Sequence, residues 1–394
     1  MDPIDLRPIY LDHNATTPLH PRVREAMLPW IGELHGNPSS LHRFGQAARN
    51  AVEEAREKVA ALIGGRPPEV VFTASGTEAN NAVLAHVARQ AGGGHLAISA
   101  IEHPSIREGA ARLEKEGWEV TRVSPGGDGV VPAAEVVRAL RPDTRLVCLM
   151  LANNELGTLQ PVAEVAAACR ERGIPTLCDA VQAVGKIPVD APRLGVDYLV
   201  LGAHKFNGPL GAAAVWVRKG AELSPLLVGG SQERRRRAGT ENVPAIVGLG
   251  QAAAVAAEEM TERVAALASL RDRFEAELAR RMPDVLFHCQ ASPRLPNTSH
   301  VAFPGLEGEA LLIRLDLAGF AVSTGSACSS GAVEPSKTLL AAGIAPEEAL
   351  SSLRVSFGIT TGAQDVDAFL DALEREAEAL RRVSPGSAMR EVVA

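Results

Sequence analysis

Short runs rich in β-branched and large apolar residues recur along the first half of the chain: EVVF (69–72), HLAIS (95–99), WEVTRV (118–123), RLVCLML (145–151), PTLCD (175–179) and YLVL (198–201). Between several of them lie alanine-rich segments of helical period, among them EANNAVLAHVARQ and VAEVAAACRERG, closed by the glycine that helix C-termini prefer. Strands apolar along their whole length need cover on both faces, and parallel neighbours need a crossover between them. The alternation therefore predicts an α/β fold with a mostly parallel sheet, whose ligands sit beyond the C-terminal ends of the strands.

The rhythm changes after residue 242. Residues 243–282 keep a helical pattern with no strong breaker, and a helix that long reads as a link between two domains. Beyond it SHVAFPG, GFAVSTG and LRVSFG read as strands separated by helical segments such as GEALLIRLDLAG and AQDVDAFLDALEREAEALRR. The division expected is a large domain over residues 16–258 and a smaller α+β domain formed by 1–15 and 259–394, with SPGSAMREVVA as a loosely held tail. A chain of 394 residues with 46% apolar content has material for two cores.

Charge and composition exclude several functions. A formal net charge of −7 gives no broad basic field for nucleic acid. No run approaches the ~20 apolar residues of a membrane span, and MDPIDLRPIYLDHNATTP lacks a cationic segment followed by an apolar one. The expected location is cytoplasmic. Cys148, Cys169, Cys178, Cys289 and Cys328 are odd in number and scattered, with no CxxC pair, which fits a reducing compartment and argues against a disulfide framework or a structural metal site.

The stretch GAHKFNGPLG (202–211) puts Lys205 at the C-terminal end of the apolar run YLVL. A lone lysine there could simply snorkel to water, and a lone Asp179 at the end of PTLCD could be a helix cap. Together they project an amine and a carboxylate into one crevice, which is what pyridoxal 5'-phosphate requires: a lysine to bond its aldehyde and an acid to keep its ring nitrogen protonated. The turn TASGTEANN (73–81) follows a strand and opens a helix, so the backbone N–H groups around Gly76 and the hydroxyls of Ser75 and Thr77 can face a phosphate.

LDHNATTPL, GNPSSLHRFG, TEANN, EHPS, ANNELGTLQP, DAVQAVGK, GAHKFNGPLG, RAGTENVP, STGSACSSG and LRVSFG occur in this order, and from about residue 9 to residue 380 the chain resembles the pyridoxal-phosphate-dependent cysteine desulfurases, in the group that serves iron–sulfur cluster assembly and nitrogenase maturation. The resemblance implies a type I aminotransferase fold with Lys205 as the Schiff-base lysine. It implies that Asp179 pairs with the pyridinium nitrogen, Gln182 reaches the phenolic oxygen, and His103 stacks on the ring and shuttles protons. Thr77 and His204 would hold the phosphate, joined by Thr240 from a second subunit, so that a homodimer shares its cofactor sites. Arg354, helped by Asn154, would grip the carboxylate of L-cysteine as a bidentate donor. Cys328 would attack the substrate sulfur, carry it as a persulfide, and deliver it to an acceptor or iron–sulfur scaffold protein, with alanine released.

Cys328 sits among small residues without apolar periodicity, as befits an exposed loop, whereas Cys148, Cys169 and Cys178 read as buried small hydrophobes and Cys289 is unassigned. His103 is the expected acceptor of the Cys328 proton. The chain departs from the family where Gly202 replaces a common serine, where Ser75 replaces a common glycine, and where Leu210 replaces a lysine. Ser75 is expected to replace the hydroxyl missing at Gly202. The basic run Arg234–Arg237 reads equally as a solvated loop or as phosphate or partner electrostatics. A selenocysteine lyase or an aminotransferase would share the lysine and aspartate, and a non-catalytic sulfur carrier would need the cysteine alone.

Overall fold

The structure is a computed structural model describing residues 8–324 and 334–383. Its strands in chain order are β1 (Ile9–Tyr10), β2 (Val70–Thr73), β3 (His95–Ser99), β4 (Glu119–Val123), β5 (Thr144–Cys148), β6 (Thr176–Asp179), β7 (Tyr198–Gly202), β8 (Ala213–Val217), β9 (Leu286–Phe287), β10 (Thr298–Ala302), β11 (Phe320–Ala321) and β12 (Ser352–Ser356). Seven of them form one sheet in the order β2-β8-β7-β6-β5-β3-β4. All run parallel except β8, which pairs antiparallel with both β2 and β7.

Alternate residues on these strands enter different cores, as the two-residue pleat dictates. Phe72, Ala97, Leu199, Leu201 and Trp216 pack into one, and Val71, Leu96, Ile98, Val200 and Val215 into the other. Helices cover both faces, which is why the strands read as continuous apolar runs. Helix α1 (Gly76–Ala91) follows β2, α2 (Pro104–Lys115) follows β3, and both contribute to the second core through Val83, Leu84 and Ile106.

Helix α3 (Val243–Arg281) is unbroken over its 39 residues. Its first half buries Val243, Ile246, Leu249 and Ala256 against the first sheet core. Its second half buries Leu267, Phe274 and Leu278 in a separate core with Val301, Leu353, Phe357 and Phe369. That core backs the antiparallel sheet β12-β10-β9, and β1 pairs with β11 beside it.

Two strand readings differ from the expectation. AAVWV is a central strand, although its alanines and the preceding glycine-rich turn hide it; β8 is short-linked to β7 and so returns antiparallel. In GFAVSTG only Phe320–Ala321 pairs as a strand, with Ser323 bridging to Arg354. No described helix is long and apolar enough to cross a membrane.

Candidate active site

The C-terminal ends of the parallel strands share one edge of the large sheet, and the turn after β7 lifts Lys205 out of it. The Lys205 amine donates to the carbonyls of Asn14 (2.8 Å) and Ala15 (2.6 Å). Burial pushes its pKa down to about 8; the Arg354 cation adds to this, while Asp12 and Asp179 oppose it. Asp179 ends the neighbouring strand, opposite Val200, and is buried. Its Oδ1 accepts from the Val181 N–H (3.0 Å) and its Oδ2 from Asn80 Nδ2 (2.8 Å). Gln182 is buried one turn farther on, donating from Nε2 to the Asn14 carbonyl (2.8 Å). Lys205, Asp179 and Gln182 are thus brought together.

The residues expected to hold the phosphate lie on the same edge. Thr73 and Gly202 both pair with Ala213, so the turn after β2 and the turn after β7 sit at one level, separated by β8. Ser75 caps α1: its Oγ accepts from the Glu78 N–H (3.1 Å). Gly76 opens the helix, where a Cβ would meet Val181 Cγ2 at 3.0 Å. Gly76 and Thr77 supply first-turn N–H groups, which have no partner inside a helix and carry its positive dipole end. A Cβ at Gly202 would make only ordinary contacts, the nearest 3.6 Å from Val181 Cγ1. His204 Nδ1 lies 3.2 Å from Thr16 Oγ1, and burial, with Lys205 nearby, lowers its pKa to about 4.

Thr240 is exposed, away from the interior of its own chain. The basic run before it is held down rather than free. Glu233 makes a buried bidentate pair with Arg56 (2.7 and 2.8 Å), Arg236 donates to the Pro68 carbonyl, and Arg237 pairs with Glu78 on the first turn of α1 (2.8 Å). Leu210, 73% exposed, belongs to the surface.

His103 caps α2, with Nδ1 accepting from the Ser105 N–H (3.1 Å) and 2.8 Å from Ser105 Oγ. Ser105 Oγ accepts from Asn80 Nδ2 (2.9 Å), which links the ring to Asp179. Desolvation in the cleft lowers the His103 pKa; Asp179 opposes this and Lys205 reinforces it. A neutral ring whose Nδ1 accepts carries its proton on Nε2. In this arrangement His103 offers an N–H, and taking a proton at Nε2 requires the other tautomer. The expectation that it receives the Cys328 proton is thereby narrowed to that tautomer.

Arg354, in β12, is buried against Asp12 (Nη2 to Oδ1, 2.6 Å) and donates from Nη1 to the Asn154 carbonyl (3.0 Å). Its Nε has no partner among the described residues. The Nε edge is therefore the part of the fork left for a carboxylate, and Asn154 acts on Arg354 through its backbone. Burial raises the thiol pKa of Cys148 and Cys178 well above the ordinary value and that of Cys169 and Cys289 to about 11. Cys289, unassigned from sequence, packs its Sγ against Gly129. Cys328 lies outside the described residues.

Residues 9–369 match the family model described as aminotransferase class-V. The chain belongs to the class-V aminotransferase family. It is 46% identical over 381 residues to a curated relative from Dictyoglomus turgidum named cysteine desulfurase IscS, covering 96% of this chain and 97% of that one. A solved NifS-like protein superposes with a TM-score of 0.89 at 36% identity, covering 95% of this chain and all of the other. A structure titled SspA in complex with cysteine follows with a TM-score of 0.79, 33% identity, and coverage of 89% and 98%. The fold of this class-V aminotransferase is the type I aminotransferase fold, and its cofactor is pyridoxal 5'-phosphate.

The residues present fit that cofactor. An amine of lowered pKa stands beside a buried carboxylate, a helix N-terminus faces the same edge, and Asn80 Oδ1 and Arg354 Nε are buried polar atoms with no partner among the described residues. Asp12, Asn14, Asn80, Glu102, Ser105 and Lys186 also belong to the site and were not read as functional from the sequence. All lie inside or beside motifs that stand out there, LDHNATTPL, TEANN, EHPS and DAVQAVGK. Glu102 is fully buried and near Asp179, and desolvation and that carboxylate raise its pKa to about 8.

Proposed function

We propose that this class-V aminotransferase is a cysteine desulfurase that converts L-cysteine to L-alanine and leaves the sulfur as a persulfide on Cys328. The observation that carries the reading is the convergence of the Lys205 amine and the buried Asp179 carboxylate at the strand ends of the large sheet with the Arg354 guanidinium of β12 in the smaller sheet, near enough to lower the Lys205 pKa, in a chain whose near full-length relatives are named cysteine desulfurases.

When bound, pyridoxal phosphate supplies an electron sink for the substrate carbon attached to it. Lys205 would hold the cofactor aldehyde, and its amine, whose pKa burial lowers to about 8, would be the base for the substrate Cα proton. Asp179, fixed by Val181 and Asn80, keeps the ring nitrogen protonated. The α1 N-terminus with Ser75, Gly76 and Thr77, together with His204, would hold the phosphate, with His103 beside the ring. Arg354 orients the substrate carboxylate through its Nε edge. Cys328, having given up its proton, would bond to the substrate sulfur as the carbon–sulfur bond breaks; the bond's electron pair would stay on the carbon, which takes up a proton to become the alanine methyl.

Exposed Thr240 supports a homodimer in which it completes the partner's phosphate cup. The sulfur acceptor would be a separate scaffold protein, and the location cytoplasmic. The assay is the holoenzyme with L-cysteine: alanine and protein-bound persulfide should appear in equal amounts during the first turnover. Formation of a keto acid without persulfide would instead identify an aminotransferase.

A further inference from the structure

Lys186 is fully buried, and its amine donates to two side-chain carbonyls at 2.7 Å, Gln182 Oε1 and Asn14 Oδ1. An amine that donates to both amides is met by their oxygen ends, and the ammonium form, with donors only, admits no other arrangement. The nitrogen end of Gln182 must then point the other way. It does so, donating to the Asn14 carbonyl, which also accepts from Lys205. Gln182 Nε2 and Lys205 Nζ each lie 2.8 Å from that one oxygen, so they are no farther apart than twice 2.8 Å.

This spacing has a chemical consequence at the cofactor. The lysine bonds the aldehyde carbon of pyridoxal phosphate, and the phenolic oxygen is on the adjacent ring carbon. An amide that close to the lysine nitrogen would be within reach of that oxygen when the cofactor is bound. A Gln182 amide turned one way offers it an N–H; turned the other way it offers a repelling carbonyl.

We propose that Lys186 is the positioning residue that sets this choice, holding Gln182 so that its N–H end faces the phenolic oxygen. The same amine steadies Asn14, whose carbonyl cradles Lys205. Asn14 is held besides by Asn297, Thr298 and Ser356 from the smaller sheet region, so the cluster is fixed from both cores. Burial, with Lys205 and Arg354 adding to it, drives the Lys186 pKa well down, while Asp12 opposes.

The inference rests on the reading of Gln182 as the phenolic-oxygen partner, and the test separates the two. The pH midpoint of the visible cofactor band is measured in the holoenzymes of Lys186→Met, Gln182→Met and the double variant. A phenolic oxygen that loses an N–H donor becomes more basic, so Gln182→Met should raise the midpoint by about one pH unit. Lys186→Met should raise it equally, and the double variant should match Gln182→Met alone. A wild-type midpoint in Lys186→Met overturns the proposal. So does a further shift in the double variant over Gln182→Met, since Lys186 would then act without Gln182. A wild-type midpoint in Gln182→Met overturns the Gln182 reading itself. Should Lys186→Met fail to fold with its orphaned Oε1, the comparison of the double variant with Gln182→Met decides, because no Gln182 acceptor is left unpaired there.

Discussion

Lys205 is the residue on which the chemistry turns, and burial sets its behaviour. An ordinary lysine at neutral pH is almost wholly protonated and a poor nucleophile; one with a pKa near 8 has an appreciable neutral fraction. The folded value lies below the ordinary 10.5, so folding disfavours the charged amine: this cost is fully present below pH 8 and disappears as the pH climbs toward 10.5. The rate at which the apoprotein takes up pyridoxal phosphate should therefore rise with pH to a plateau, half-maximal near pH 8, as stopped-flow absorbance would record; a flat profile across that range would remove the assigned ionisation. Lys205→Ala should leave the apoprotein folded, since the amine donates only to the carbonyls of Asn14 and Ala15 and the Asn14 carbonyl keeps Gln182 as a donor, and should form no alanine. Ser75 separates two roles at a single atom. As a cap its replacement by glycine costs a few tenths of a kcal/mol; as a phosphate donor its loss costs roughly 1.5–3 kcal/mol of cofactor affinity. Ser75→Gly measured by thermal melting without cofactor and by cofactor titration tells them apart: weakened retention with an unchanged apoprotein melt is expected.

At the scale of elements, the segment before Thr240 shows how a strained stretch is held. Glu233, Arg234 and Arg235 have consecutive φ values of 46°, 58° and 66°, left-handed geometry that costs an L-residue roughly 1–2 kcal/mol each. The buried Arg56–Glu233 pair offsets that strain, with Glu233 also accepting from the Phe72 N–H and the Arg56 guanidinium stacked over the Phe72 ring at 4.6 Å. Removing one partner leaves the other charged and buried, so Glu233→Ala should destabilise the protein by about 3–5 kcal/mol in urea unfolding; a loss below 1 kcal/mol would mean the segment holds itself. Nothing in QERRRR foretold this, because the sequence shows a basic run and hides which acid is buried beneath it. The parallel strands were legible because burial on both faces writes itself as continuous apolar residues. β8 was not, because two of its five residues are alanine. Lys205 and Asp179 were legible as strand-end residues, whereas Asn14 and Lys186 act through contacts 172 residues apart in sequence, which no local pattern encodes.

Across the whole molecule, the described residues on either side of segment 325–333 are tied to residues beside the proposed site. Before it, Ser323 bridges by backbone hydrogen bonds to Arg354, the residue assigned to the substrate carboxylate. After it, Ser336 Oγ donates to Glu155 (2.5 Å), next to Asn154. The other four cysteines are held in the fold with thiols that burial keeps protonated. Cys328 therefore remains the proposed sulfur acceptor. Cys328→Ser should bind pyridoxal phosphate normally and show a change in the cofactor spectrum on mixing with L-cysteine, since Lys205, Asp179 and Arg354 are untouched. Alanine and persulfide should both fail to form, because a serine hydroxyl is far less ionised than a thiol and makes no persulfide. Near-normal alanine formation with persulfide on Cys289 would move the nucleophile to the one other described cysteine that is not fully buried, and would require that thiol to leave its contact with Gly129 to reach the site.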